Sequence, residues 1–175
     1  MKRAFTLIEI MVSVVIVMLI SGGALVYFNE FNSRQKLEKG KDEVVVAIKM
    51  IQSSARGRQL PNSSSLPELY FIRLYYPQIS GVNYLKAEAN NDDTQIYYRK
   101  PIKELGTNIS LSPGNIYFGA GTGRLIKDIS TTPYTYYLDT ETATVIIENE
   151  AEENEGYRIT INAMGQIKDT VYYKE

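Results

Sequence analysis

The carboxylate of Glu9 stands at the edge of residues 10–28, IMVSVVIVMLISGGALVYF, a run with no charged side chain. An ionisable group there marks a pairing or binding role by default, since a carboxylate costs about 2.5–3.5 kcal/mol at the centre of a membrane helix and less near the interface. Other acids gather at Glu148, Glu150, Glu152, Glu153 and Glu155, and a smaller group forms at Asn90-Asn91-Asp92-Asp93. Oxygen-rich clusters suit hard cations such as calcium, but the acidic run lacks the Asp/Asn-rich spacing of a tight calcium loop, and both groups read as solvated turns. Gly119, Gly121 and Gly123 invite a phosphate-loop reading, yet the residues from Arg124 to Ile129 alternate like a strand, so a β-turn is expected. Tyrosine doublets at Tyr75-Tyr76, Tyr97-Tyr98, Tyr136-Tyr137 and Tyr172-Tyr173 put neighbouring rings on opposite faces of a strand. One ring of each pair is therefore expected at the surface, where tyrosine serves protein or glycan contacts or sits half-buried. Asn62-Ser63-Ser64 and Asn108-Ile109-Ser110 match a glycosylation acceptor pattern that is frequent by chance.

Composition removes whole classes of chemistry. The 175 residues include no His and no Cys. Ser-His-Asp and Cys-His nucleophile systems, zinc sites of thiolate or imidazole, and disulfides are all excluded. Nineteen Lys+Arg against 20 Asp+Glu leave no basic excess, so no nucleic-acid partner is expected, and no cofactor is expected either. Carboxylates are plentiful enough for a glycosidase-like pair, but no spacing singles out two of them.

The elements that must position Glu9 begin with the apolar run. At a rise of about 1.5 Å per residue it makes roughly 28 Å of helix, the hydrocarbon thickness of a bilayer. Lys2 and Arg3 precede it and the following flank is mixed in sign, which puts the N-terminus in the cytoplasm and residues 30–175 outside. A cleavable secretory signal would be cut after Ser21-Gly22-Gly23, before Ala24, but the apolar character continues through Phe28. Leu37, Val44, Ile48, Ile51 and Ala55 then recur at helical spacing, predicting that an amphipathic helix continues the apolar one to about Arg58, a rod of roughly 80 Å. Gly22-Gly23 and Gly40 are expected bend or melting points.

Residues 61–67, rich in Pro and Ser, read as a hinge. Beyond it, β-rich runs are predicted at 69–76, 82–86, 95–99, 115–118, 124–129, 134–138, 143–148, 157–162 and 166–173. The last two are joined by Asn162-Ala163-Met164-Gly165 as a closing hairpin. The expected fold class is therefore α+β, a long N-terminal helix packed on a β-rich head. The expected segments are 1–4, 5–28 in the membrane, 29–60 as amphipathic helix, and 61–175 as the head.

Lys2-Arg3-Ala4-Phe5-Thr6-Leu7-Ile8-Glu9-Ile10 resembles the processing and methylation motif of type IV prepilins and type II secretion pseudopilins. The resemblance implies a leader of residues 1–4, cleavage between Ala4 and Phe5, N-methylation of Phe5, and an assembly role for Glu9. Ala4 departs from the glycine usual in the family, and no Pro interrupts the apolar half. The chemistry fits: cleavage places a cationic amine at the helix start, one turn from Glu9, and opposite charges about 4 Å apart attract by about 4 kcal/mol at an effective dielectric near 20, before desolvation. Glu9 of one subunit would then pair with the amine of its neighbour. The segments 117–123 and 157–167 resemble the late strands of the GspH/FimT minor pseudopilins. Implied partners are a prepilin peptidase and methyltransferase, other pilin or pseudopilin subunits, the inner-membrane assembly machinery and, before assembly, the lipid bilayer. The implied protein is a structural subunit, not an enzyme. The competing expectation is a secreted or tethered β-rich binding domain that does not polymerise.

Overall fold

The computed structural model describes residues 6–61, 68–149 and 154–174, with the side chains of 23–26 left aside. The chain divides into two compact units, Met1–Gln35 and Lys36–Glu175. The fold is α+β, with a long apolar N-terminal helix followed by a β-rich region. Helix α1, Leu7–Arg56, belongs to both units and runs unbroken through Gly22, Gly23 and Gly40. Asn62 to Pro67 of the expected hinge lie outside the described residues.

In the second unit the predicted helical stripe is the buried face of α1. Leu37, Val44, Ile48, Ile51 and Ala55 are each at most 1% exposed, and Ala47 joins them. Gly40 lies on the same face for a steric reason: a Cβ there would meet Thr107 Cγ2 at 2.9 Å, so the glycine allows the helix to approach the following sheet closely.

The strands are β1 (Phe71–Tyr75), β2 (Gln78–Ile79), β3 (Val82–Ala89), β4 (Ile96–Pro101), β5 (Thr107–Ser112), β6 (Asn115–Gly119), β7 (Leu125–Asp128), β8 (Thr135–Tyr136), β9 (Thr142–Asn149), β10 (Glu155–Asn162) and β11 (Ile167–Lys174), with a short α2 (Ile102–Leu105) before β5. One sheet runs β2-β3-β1-β6-β7-β8, with β4 also on β3; the other runs β11-β10-β9-β5. Every pairing is antiparallel. The core joins the inner residues of both sheets, among them Ile72, Leu74, Leu85, Phe118, Val145, Ile147, Ile159 and Ile161, to the buried face of α1. The predicted closing hairpin is present, with Gly165 N donating to Asn162 O at 2.8 Å and Gln166 N to Asn162 Oδ1 at 2.9 Å. Among the described residues, β2, α2 and β5 were not anticipated. In β5, Thr107, Ile109 and Leu111 are buried while Asn108, Ser110 and Ser112 are exposed, so the chance glycosylation pattern lies on a half-buried strand.

The glycine-rich segment 119–123 anchors the end of α1. The helix closes with Gln59 N on Ser54 O (3.0 Å) and Arg58 N on Ala55 O (3.2 Å), with Arg58 at φ 49°, the left-handed residue of a Schellman cap. Gly121 N also donates to Ala55 O at 2.7 Å, so a loop amide satisfies one of the orphan carbonyls of the helix end. A second loop closes over this one. Leu125 N donates to Ala163 O at 2.8 Å, and a Cβ on Gly165 (φ +74°) would lie 2.0 Å from Gly123 O. Gly165→Ala therefore combines backbone strain with a clash against backbone, and it should destabilise the protein by roughly 2–4 kcal/mol. Gly114→Ala, where nothing lies within 4 Å, should leave the melting temperature nearly unchanged. Thermal unfolding of the detergent-solubilised full chain by circular dichroism compares the two.

Candidate functional site

Helix α1 starts just after Thr6, whose side chain caps it. Thr6 Oγ1 accepts from the Glu9 amide at 3.3 Å, and the Thr6 carbonyl accepts from Glu9 N at 3.1 Å and Ile10 N at 3.3 Å. Glu9 thus occupies the first turn, where the positive end of the helix dipole favours a carboxylate by about 0.3–1 kcal/mol. Ser13 Oγ donates to Glu9 O at 2.7 Å, which satisfies the hydroxyl within the helix. Of the residues expected to do chemistry here, Glu9 is described, whereas Ala4 and Phe5 lie outside the described residues.

Glu9 sits on a strip with Ile10, Ser13, Val14, Val17 and Met18. All described side chains of residues 6–22 are exposed, the large apolar ones from Leu7 at 78% to Val14 at 46%. Burying one such Val, Leu or Ile is worth about 1.5–3 kcal/mol, so this surface calls for a bilayer or other apolar helices. The helix is long and apolar enough to cross a membrane. Its apolar surface ends in Tyr27, Phe28 and Phe31, interleaved with the Glu30–Arg34 ion pair at 3.5 Å. Aromatic rings beside paired charge are the composition of a membrane–water interface. Phe31 lies beyond the expected boundary at residue 28, and its spacing of four from Tyr27 was the signal that could have found it.

Residues 1–25 match the family model described as a prokaryotic N-terminal methylation motif. The N-terminal segment carries the motif. The match supports the type IV pilin and pseudopilin family, and that family is structural. It ends before the head segments on which the GspH/FimT resemblance rests. No curated protein and no solved structure matches the chain.

In the head, the candidate metal residues are engaged as turn and sheet partners. Asn90 Oδ1 accepts from Tyr70 N (2.9 Å) and Phe71 N (3.2 Å), and Asp92 Oδ1 accepts from Thr94 N (2.9 Å) and Oγ1 (2.8 Å). Glu148 accepts from Tyr173 OH at 3.2 Å, and buried Glu155 accepts from Tyr172 OH and from Asn149 Nδ2. Glu150, Glu152 and Glu153 lie outside the described residues. Among the described residues no group of three or more acids is placed to hold a metal.

A charged cluster that sequence reasoning missed lies on β1 and β3. Arg73 and Glu88 are register partners, and fully buried Glu88 pairs with Arg73, with Lys86 Nζ at 2.7 Å and with Tyr75 OH at 2.8 Å. Lys86 also pairs with Asp93. Burial alone would pull the Lys86 ammonium down, but its hydrogen bonds to Asp93 and Glu88 outweigh that and hold it well above the ordinary value. The same hydrogen bond holds the exposed Asp93 carboxyl below the ordinary range.

The expectation of one surface ring per tyrosine doublet fails for two pairs. Tyr76 and Tyr172 are exposed, but Tyr97, Tyr98, Tyr136 and Tyr137 are all partly buried. A strand near the rim of a two-sheet core covers both of its faces in part, so alternation does not imply exposure. Burial pushes the Tyr97 phenol up to about 12; burial and then Glu43 do the same for Tyr98. Because the folded values exceed the unfolded value near 10, the stability these protonated phenols contribute is complete below pH 10 and is lost as pH rises toward 12. Ultraviolet titration should show a late tyrosine component near pH 12, removed by Tyr97→Phe with Tyr98→Phe.

Proposed function

We propose that the chain is a filament subunit of the minor pilin or pseudopilin kind, serving a type IV pilus, a competence pseudopilus or a type II secretion pseudopilus. The observation that carries this reading is the uncovered apolar strip of α1, which opens on a Thr6 cap and Glu9 within the matched motif. In this reading residues 1–4 are a leader removed by a prepilin peptidase, Phe5 becomes the methylated N-terminus, and the apolar helix anchors the head on the outer side of the cytoplasmic membrane until assembly. Glu9 then pairs with the Phe5 amine of a neighbouring subunit and fixes axial register, while the apolar surfaces adhere without direction. Membership of the GspH/FimT group is part of the same proposal and is supported by the resemblance of the two late head segments. The role requires no cofactor and no enzymatic step by this chain.

Intact-mass measurement of the membrane-extracted protein should give a chain beginning at methylated Phe5; a terminus at Ala24, or an uncut Met1, would instead mark a secreted or tethered binding domain. Glu9→Ala should leave cleavage intact and reduce incorporation into filaments at least about tenfold, the factor carried by about 1.4 kcal/mol of lost pairing. Normal incorporation of that variant would remove the pairing role.

A further inference from the structure

We infer that the sheet β11-β10-β9-β5 is built to continue into a second copy of this chain, with the β11 edge of one head pairing to the β5 edge of the next. The first sheet blunts its edges: β2 and β8 have two residues each, and β4 carries Arg99 and Lys100 and ends in Pro101. Such devices discourage edge-to-edge pairing. In the second sheet β5 is six residues without a charge, while β11 carries Lys168, Asp169 and Lys174 and an irregular register against β10 between Thr160 and Ile161, which confine its uncharged stretch to Thr170 to Tyr173. Among the described residues, no backbone hydrogen bond outside the ladders with β9 and β10 involves residues 107–112 or 167–171.

Strand polarity fits the two edges to each other. Three successive antiparallel pairings make β5 and β11 antiparallel to one another, so a copy displaced sideways along the sheet presents β5 to β11 in the antiparallel sense with the same face outward. Such a displacement also keeps the N-terminal helices of both copies pointing the same way, as insertion in one bilayer requires. The register follows from the rows across the sheet. Ser110, Ile146, Arg158 and Val171 form one outward-facing row, which places Ser110 of one copy beside Val171 of the next. The adjacent inward row runs Leu111, Val145, Ile159 and Thr170; its first three members are buried, while Thr170 is exposed at the free edge. A neighbouring copy would extend cover over that position. The contact is heterologous and open-ended, the kind that propagates along an assembly.

The absence of native cysteine allows a clean test. The full chain carrying Ser110→Cys with Val171→Cys, reconstituted in lipid vesicles and oxidised, should form a ladder of disulfide-linked dimers, trimers and longer species, while each single variant stays monomeric. Asn108→Cys or Ser112→Cys combined with Val171→Cys covers a register displaced by one row pair, and circular dichroism verifies folding of every variant. Absence of cross-links from all three folded pairs would overturn the inference. Dimers from Val171→Cys alone would overturn it too, because they would show two-fold pairing of β11 with itself. The cross-link is read on reconstituted protein, so its outcome is separate from leader processing and filament yield.

Discussion

The described side chains of residues 6–22 are exposed and mostly apolar, and the proposed role of the molecule answers to that fact. A soluble domain hides its apolar helix face against other elements, as α1 does from Leu37 to Ala55. The N-terminal part of the same helix is exposed on all sides, so its free energy is set by what surrounds it: lipid, or copies of itself. Apolar adhesion is strong but non-directional, and identical helices pressed together by it alone would slide. A single charged group near one end supplies the missing coordinate. Glu9 stands where the helix dipole tolerates a carboxylate and where, on the proposed reading, a terminal amine arrives only after cleavage. The same residue would then be a mild capping element in the precursor and a register mark in the assembly.

The head solves a different problem, which is to bind the second half of α1 without a disulfide. Side-chain burial supplies most of the adhesion, but the end of α1 is fixed by backbone. Ala55 O accepts from Gly121 N, and the Gly119–Gly123 loop is in turn closed over by the Ala163–Gly165 turn. Three glycines at positive φ hold this junction: Gly121 and Gly123 leave room for the side chains of Arg58 and Arg56, and Gly165 lets its backbone approach that of Gly123. The glycines that resembled a phosphate loop therefore hold a helix C-terminus, the opposite end from the one that binds phosphate.

Much of this was legible in the sequence where one periodicity dominated. The stripe of Leu37, Val44, Ile48, Ile51 and Ala55 gave the buried face of α1, and runs rich in Tyr, Ile and Val located most strands. Strand β5 was missed although Thr107, Ile109 and Leu111 alternate properly, because its small polar residues match turn chemistry equally well. Arg73, Lys86 and Glu88 carry no local signal at all. Their pairing exists only once β1 and β3 are in register, and register is a tertiary quantity. The tyrosine doublets failed for a related reason, since period two assigns faces but does not say which faces the core will reach. At the N-terminus the motif named Glu9 plainly, while Phe31 was lost to a boundary drawn where charge first returns.

The two ends of the chain pose one question of specificity at two scales. At the N-terminus, apolar helices that would pack in many offsets need a polar pair to choose one. In the head, the edges of one sheet are cut short or charged, while the other leaves β5 uncharged and β11 uncharged from Thr170 to Tyr173, strands of opposite sense. If both edges were blunted, the heads would be passive passengers on a helical bundle. If all were open, each head would offer several competing strand partners and no single neighbour geometry. Leaving one sheet open at both edges, with polarity matched under sideways displacement, restricts the head to a single kind of neighbour. That restriction acts in the same direction as a register fixed by Glu9, because both favour copies that repeat without turning over.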